Sequence, residues 1–249
     1  MMNELGLALL NIGTLLMRSG ANTERIKITI DRICSAFGYT ADTFVSYSSL
    51  VLTLSDSNGG DHFFRSKQIP SHHINFKIVS GISRMSWQVV EEKWTVDQIN
   101  AEVNRLTALP HYQRWITRAV VGLAGASFCR LAGGAFWDML VVWAATVAGV
   151  WVLQNAVKKQ FNFYLSVFFA ACTASFIAGL VLRLGHGFFH PATFATSVLF
   201  LIPGVPLINS FSDLIDGHLQ NAMARGMHGL VISFSIALGL LTAMFLSQL

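Results

Sequence analysis

The stretch QFNFYLSVFFAACTASFIAGLVL, residues 160–182, decides the fold class because it is long, apolar and free of charged side chains. A helix needs about 20 apolar residues to cross a bilayer. Three other uncharged stretches have a similar length: 139–157, 184–212 and 226–249. Residues 1–114 contain 21 charged side chains, whereas residues 115–249 contain only 9. The sequence therefore predicts that a soluble part precedes a membrane part.

The amino-acid composition also indicates a membrane protein. Hydrophobic residues make up 53% of the chain, charged residues 12%, and the mean hydropathy is +0.53, whereas soluble domains usually contain about 25% charged residues. The net charge of +4 comes from basic residues that are dispersed or flank apolar segments. This pattern favours contact with membrane lipid over contact with nucleic acid. The three cysteines lack metal-binding spacing and are expected to be reduced and mostly buried: Cys34, Cys129 and Cys172.

The charged N-terminal part has the pattern of an α+β domain. Helical periodicity marks four segments: about 3–18, 23–37, 75–91 and 96–106. Leucines at every second position from Leu50 to Leu54 predict a half-buried strand. A turn cluster at 56–61 allows residues 62–67 to return as a second, antiparallel strand. Thr95 begins a predicted capping box for the last of the four helices.

The predicted fold class is an N-terminal α+β cytoplasmic domain over residues 1–110, followed by an all-α transmembrane domain of about five helices over residues 111–249. The expected spans are about 112–131, 138–157, 161–182, 191–208 and 226–247. With a cytoplasmic N-terminus, five basic residues lie inside (Arg114, Arg118, Lys158, Lys159, Arg225) and two lie outside (Arg130, Arg183). The excess inside agrees with the positive-inside rule.

Small residues recur at every fourth position on several predicted membrane helices. The rows are Ala145/Gly149, Ala170/Ala174/Ala178 and Ala171/Ser175/Gly179. Such rows let two helices approach closely. We favour packing within the chain over contact between subunits as their purpose.

Signatures of catalysis are absent from the sequence. No glycine-rich phosphate loop, HExxH motif or GxSxG motif occurs. We therefore expect neither an enzyme nor a bound cofactor or metal. His72 and His73 are adjacent, would point apart on regular structure, and have no third ligand near them. His186 and His190 are four residues apart, but their glycine-rich surroundings indicate an exposed loop.

The segment LIPGVPLINSFSDLIDGH, residues 201–218, interrupts the fourth predicted span. Pro203, Gly204 and Pro206 break the helix, and bulkier residues are expected to resist the backbone conformation of Gly204. Discontinuous helices of this kind often form substrate sites in transporters. A helix that restarts near Asn209 would offer free N–H groups to a carboxylate.

Polar side chains follow this break directly. Asn209 and Ser210 could hydrogen-bond the polar groups of a substrate. Asp213 and Asp216 are three residues apart, so on a helix they share a face, and either could carry a proton within the membrane. The alternative is that both carboxylates are solvated in a cytoplasmic loop and that the Pro-Gly-x-Pro motif simply ends a helix.

Two passages resemble one known family. LLMRSGANTERI at residues 15–26 is the first, and LIPGVPLINSFSDLIDG at residues 201–217, with Arg225 beyond it, is the second. Together with the order of the soluble and apolar parts, they make the chain similar to the larger, N-terminal unit of the bacterial threonine/serine exporter family. The resemblance adds four residues to the candidates for the functional site: Ser19, Gly20, Ala21 and Arg225.

Members of that family export threonine and serine or, in a two-subunit branch, succinate across the inner membrane. The resemblance implies a subunit of a cytoplasmic-membrane exporter of small carboxylate-bearing metabolites, and we expect the proton gradient to drive it. Fused members carry a second, smaller membrane unit that this sequence lacks, so the resemblance also implies a hetero-oligomer with a separate, smaller membrane subunit. The alternative is a membrane-anchored scaffold or ligand-sensing subunit without transport activity of its own.

Overall fold

The structure is a computed structural model that describes residues 1–56, 62–70, 73–110, 112–185 and 190–248. The chain folds into two compact units. The first unit combines Met1–Pro110 with Val205–Met227, and the second combines His111–Gly204 with His228–Leu249.

Helices flank a run of strands in the N-terminal part of the chain, and the remainder is helical. The N-terminal part contains α1 Met2–Arg18, α2 Thr23–Ala36, β1 Tyr39–Val45, β2 Ser49–Asp56, β3 His62–Gln68, α3 Phe76–Glu92 and α4 Val96–Thr107. It is followed by α5 Arg114–Leu131, α6 Phe136–Lys158, α7 Phe163–Leu184, α8 Ala192–Thr196, a 3-10 turn at Leu199–Leu201, α9 Gly204–Ile215 and α10 Leu219–Ser247.

The first unit contains a three-stranded antiparallel sheet in the order β1-β2-β3. Leu50, Leu52 and Leu54 alternate along β2 and are fully buried, which confirms the predicted strand pattern. The core that encloses them includes Leu9 and Ile12 of α1, both fully buried. Burial of one such side chain contributes about 1.5–3 kcal/mol, so packing of α1 against the sheet is a main source of stability in this unit.

Local signals in the sequence set the helix ends of the first unit. Gly20, the second residue after α1, has φ +95°, a conformation that favours glycine. Asn22 then caps α2, because its side chain accepts a hydrogen bond of 3.3 Å from the Arg25 N–H. The capping box predicted at Thr95 is present, with the reciprocal partner Gln98.

Among the described residues, three helices are long and apolar enough to cross a membrane: α6, α7 and α10. The number becomes four if the bent pair Ala192–Leu201 and Gly204–Ile215 is taken as one span.

Small residues allow the long helices of the second unit to pack closely. A Cβ added to Gly149 of α6 would come within 3.0 Å of the Ala170 carbonyl oxygen and of the Ala174 Cβ in α7. A Cβ added to Gly239 of α10 would come within 2.7 Å of the Ala171 Cβ. These distances support the interpretation that the small-residue rows serve packing within the chain.

The predicted fold class is wrong in its number of membrane helices. Five spans were expected, but the described residues provide three, or four with the bent pair. The first expected span corresponds to α5, an 18-residue helix that carries Arg114, Arg118 and Arg130. Three guanidinium groups over that length are too many for an ordinary lipid-facing span, since each is costly to place in hydrocarbon.

The prediction of a distinct N-terminal α+β domain is also wrong. The structure is mostly helical and has only one small sheet among the described residues. Moreover, Val205–Met227 belongs to the same compact unit as Met1–Pro110. The physical reason is that buried polar side chains on Val205–Met227 find their partners near the start of α2.

Some expectations concern residues that the structure does not describe. The predicted turn at 56–61 lies almost wholly outside the described residues. His72 and His186 also lie outside them, so neither predicted histidine pair is described in full.

Candidate functional site

The two passages that resemble the exporter family meet in the first unit. Residues 20–23, which lead from α1 into α2, are joined to α9 by three hydrogen bonds. The Thr23 N–H donates to Asp213 Oδ1 at 2.8 Å. The side-chain amide of Asn22 donates to Ser212 Oγ at 3.1 Å, and the amide of Asn209 donates to a main-chain carbonyl, that of Gly20, at 2.8 Å.

A buried ion pair lies at the centre of this contact. Arg225 Nε is 3.2 Å from Asp213 Oδ2, and the two side chains are 6% and 0% exposed. Neither of these two atoms has a hydrogen-bond partner among the described residues, so their contact is purely electrostatic. The Arg225 guanidinium also donates to the Ala21 carbonyl oxygen at 2.8 Å and to the sulfur of Met17. A buried pair of this kind is costly to desolvate and leaves an uncompensated charge if one partner is lost.

The side chain of Asn221, in the first turn of α10, contacts the start of α2 beside the ion pair. Its side-chain amide donates to Thr23 Oγ1 at 2.9 Å and to the Val45 carbonyl oxygen at 2.7 Å. Thr23 is therefore held through its main chain by Asp213 and through its side chain by Asn221. Sequence analysis did not select Asn221, although it lies four residues before Arg225 and so shares its helix face.

A weaker contact lies at the rim of the cluster. His218 Nε2 is 3.2 Å from Glu24 Oε2, and both side chains are partly exposed. Neither residue was among the predicted candidates. Their pairing joins the start of α2 to the connection between α9 and α10.

The break before α9 differs from the prediction. The helix begins at Gly204, directly after Pro203, and not near Asn209. The φ of Gly204 lies outside the left-handed region, and a Cβ added there would meet no described atom within 4 Å. The expectation that bulkier residues resist the backbone conformation of Gly204 is therefore wrong. Pro206 lies within the first turn of α9, where a missing N–H leaves no helical hydrogen bond unmade.

The two aspartates do not share a buried face. Asp213 is fully buried, but α9 ends at Ile215 and Asp216 is exposed. The chain turns there because Gly217 has φ +81°. The interpretation of Asp213 as a solvated loop carboxylate is also wrong, because its side chain is enclosed by protein.

The remaining predicted candidates have main-chain or packing contacts. Ser210 donates to the Ala222 carbonyl oxygen at 2.6 Å and thereby joins α9 to α10. Ser19 is buried at the end of α1, and its carbonyl oxygen accepts from the Asn75 N–H at 2.9 Å. Ala21 is buried and contributes the carbonyl oxygen that Arg225 contacts.

The second unit contains a separate buried carboxylate, that of Asp138. Its oxygens accept hydrogen bonds from the Ala135 N–H at 2.7 Å, the His190 N–H at 2.8 Å and the Thr193 hydroxyl at 2.8 Å. These bonds cap α6 and fix the start of α8. Asp138 therefore has a structural role within this unit.

Sequence analysis also missed a polar pair on two long helices. The Tyr164 hydroxyl of α7 lies 2.8 Å from His228 Nδ1 of α10, and Phe163 stacks on the same imidazole. The available signal was that His228 is the only ionisable side chain in residues 226–249. Polar groups in apolar helices are costly and are often functional.

The described residues give little support for a metal site or a reactive thiol. No group of three or more His, Cys, Asp or Glu side chains that could hold a metal occurs among the described residues. Cys34 and Cys129 are buried, as predicted, and Cys172 is partly buried. Burial raises the pKa of the Cys34 thiol to about 11, which keeps it protonated and unreactive near neutral pH.

We predict that the Asp213–Arg225 pair is the main polar determinant of stability in the first unit. Asp213→Asn and Arg225→Gln should each lower the free energy of unfolding by about 3–5 kcal/mol, because each leaves one buried charge unpaired. The double variant should be less destabilised than the sum of the two. Chemical denaturation of the purified protein in detergent measures all three.

Asp216→Asn is the matched control, because it makes the same chemical change at an exposed position on the same segment. It should leave the unfolding curve unchanged. Additive effects of the two buried substitutions would show that the two charges do not interact.

Comparisons with known proteins agree with the resemblance. A family model described as "Putative threonine/serine exporter" matches residues 8–247. The chain is 26% identical over 235 residues to the "Probable succinate transporter subunit YjjP" of Klebsiella aerogenes, covering 92% of this chain and 88% of that protein. It is 25% identical over 235 residues to the protein of the same name from Escherichia coli K12, covering 93% and 90%.

A third relative is longer than this chain. The "Probable threonine/serine exporter" of Mycobacterium tuberculosis H37Rv is 22% identical over 242 residues, which cover 94% of this chain but 45% of that protein. No solved structure matches the chain. The family match spans nearly all residues and describes an exporter family, which confirms the predicted family and the expectation of a transporter where no enzyme signature was found. The chain belongs to the threonine/serine exporter family.

Proposed function

We propose that this chain is a subunit of a multi-pass membrane exporter that moves small carboxylate-bearing metabolites out of the cell. Membership of the exporter family supports this proposal, as do the three long apolar helices among the described residues. The observation that carries it is the cluster around Asp213 and Arg225, where the two passages typical of the family meet in a buried, charged contact.

The substrate class follows from the names of the relatives. Two relatives are named as succinate transporter subunits and one as a threonine/serine exporter. Succinate, threonine and serine share a carboxylate on a short carbon chain. We therefore propose that class of metabolite as the substrate of this chain.

We further propose that a second, smaller membrane subunit completes the transporter. Two relatives of about the same length are named as subunits. The mycobacterial exporter extends well beyond the region that this chain matches. A separate polypeptide that corresponds to that extra region is the natural partner.

The proposed location is the bacterial inner membrane, with the N-terminus on the cytoplasmic side. Arg114, Arg118 and Arg130 of α5 lie before α6, the first of the three long apolar helices among the described residues, and support a cytoplasmic position for the residues that precede it. An N-terminal epitope tag should resist protease added to intact spheroplasts and should be removed after lysis. Removal of the tag from intact spheroplasts would contradict this orientation.

Proton coupling is proposed through Asp213. Protonation would remove its negative charge and leave the buried Arg225 guanidinium without a counter-ion. The contact between α9 and the start of α2 would then weaken, because the electrostatic part of the contact is lost. A proton arriving at Asp213 could thus favour a different arrangement of the segment that contains it.

Transport by reconstituted vesicles tests the proposed function. Vesicles that contain this chain and the smaller subunit should move radiolabelled succinate or threonine when a pH gradient is imposed. Either polypeptide alone should give only background flux. Equal flux from the smaller subunit alone would instead make this chain a scaffold or a sensing subunit.

The same vesicles test the role of Asp213. Asp213→Asn should abolish the dependence of flux on the pH gradient, once rates are divided by the amount of folded complex. Asp216→Asn is the control and should behave as wild type, because Asp216 is exposed. An unchanged pH dependence in Asp213→Asn would remove this residue from the coupling mechanism.

A further inference from the structure

A half-open cavity of about 250 Å³ lies within the first unit, beside the contact of α2 with α9. Its polar wall includes Asn22, Arg25 and Asn209, and its apolar wall includes Phe76, Val79 and Ile208. Pockets for drug-sized ligands usually measure about 300–1,000 Å³. This cavity therefore suits a smaller ligand, such as a metabolite of a few carbon atoms.

The charged group in the described wall of the cavity is a cation. Among the described residues, Arg25 is the only charged one that lines the cavity. Its side chain is exposed, and it makes no ion pair with any other described residue. A guanidinium group is planar, always charged, and matches a carboxylate through two parallel hydrogen bonds. The wall thus offers a cation to an anionic ligand.

Asn209 offers further hydrogen bonds beside this cation. One N–H of its amide donates to the Gly20 carbonyl oxygen, which fixes the orientation of the group. Its second N–H and its carbonyl oxygen have no partner among the described residues. They remain available to a hydroxyl, ammonium or carboxylate group of a bound ligand.

We propose that this cavity binds the carboxylate of a small aliphatic metabolite. The Arg25 guanidinium pairs with the carboxylate, Asn209 bonds a second polar group, and the apolar wall packs against the carbon chain. The inference rests on the proposed function in one respect, because it identifies this ligand with the exported metabolite.

Two residues that line the cavity also connect it to the helix that carries Asp213 of the buried ion pair. Asn22 lines the cavity and donates to Ser212, which directly precedes Asp213. Asn209 lines the same cavity and lies one helical turn before Asp213. A ligand that contacts these amides would therefore bear on the helix that holds the buried carboxylate.

Binding to the purified full chain in nanodiscs tests the proposal. The probes are succinate and L-threonine, with succinamide and L-threonine amide as analogues that lack the carboxylate. Both acids should bind saturably, and both amides should bind at least about tenfold more weakly, since a neutral amide loses the charge-assisted hydrogen bonds that a carboxylate makes with the Arg25 guanidinium. A preference for one acid would distinguish a dicarboxylate from an amino-acid ligand.

Variants of Arg25 locate the site. Arg25→Gln should weaken binding of the acids about tenfold or more, and Arg25→Lys should give an intermediate affinity. Lys27→Gln is the matched control, because it removes a positive charge from the same helix at a residue that does not line the cavity. Unfolding midpoints of the three variants should equal that of wild type, since neither side chain is buried.

Different results would contradict the proposed ligand cavity and the proposed exporter function. Absence of saturable carboxylate binding, equal binding of the amides, or wild-type affinity in Arg25→Gln would each overturn the inference. Vesicle flux separates this failure from failure of the proposed function. Normal export by Arg25→Gln with an unchanged KM would leave the exporter in place and exclude this cavity, whereas binding without any export would leave the cavity and exclude the exporter.

Discussion

The buried ion pair between Asp213 and Arg225 is the constraint on which the first unit depends. Charges without water are tolerated in a protein only when opposite charge and hydrogen bonds surround them. Here the Thr23 N–H supports the carboxylate and the Ala21 carbonyl oxygen supports the guanidinium. Because those groups lie at the start of α2, the segment that carries the pair has to fold together with the N-terminal residues.

In the proposed mechanism, this dependence lets one ion pair contribute to both stability and transport. Asp213 and Arg225 are far from the N-terminus in sequence, yet they belong to its compact unit. A change in the charge of Asp213 would act directly on Thr23 and, through the Thr23 side chain, on Asn221. The cavity lined by Arg25 lies beside the same contact, so ligand binding and charge change would bear on one helix, α9.

Local features of the structure were predictable from sequence, and long-range partners were not. The capping box at Thr95 and the alternation from Leu50 to Leu54 depend on neighbours a few residues away, so periodicity and residue type identify them. Asp213 and its partner Thr23 are 190 residues apart, and no periodicity encodes such a pairing. Apolar length favoured α5 as a span although the helix carries three arginines, and the alternative of a solvated Asp213 could be rejected only from the burial of its side chain.

Hydrogen exchange of the full chain in nanodiscs tests most directly whether the ion pair unites these segments. The amide of Thr23 and the amides of α9 should exchange slowly and at similar rates in the wild-type protein. Asp213→Ala should accelerate exchange at both places together, whereas Asp216→Ala should leave both unchanged. Rapid exchange of the Thr23 amide in the wild type, or acceleration confined to α9 in Asp213→Ala, would contradict the account.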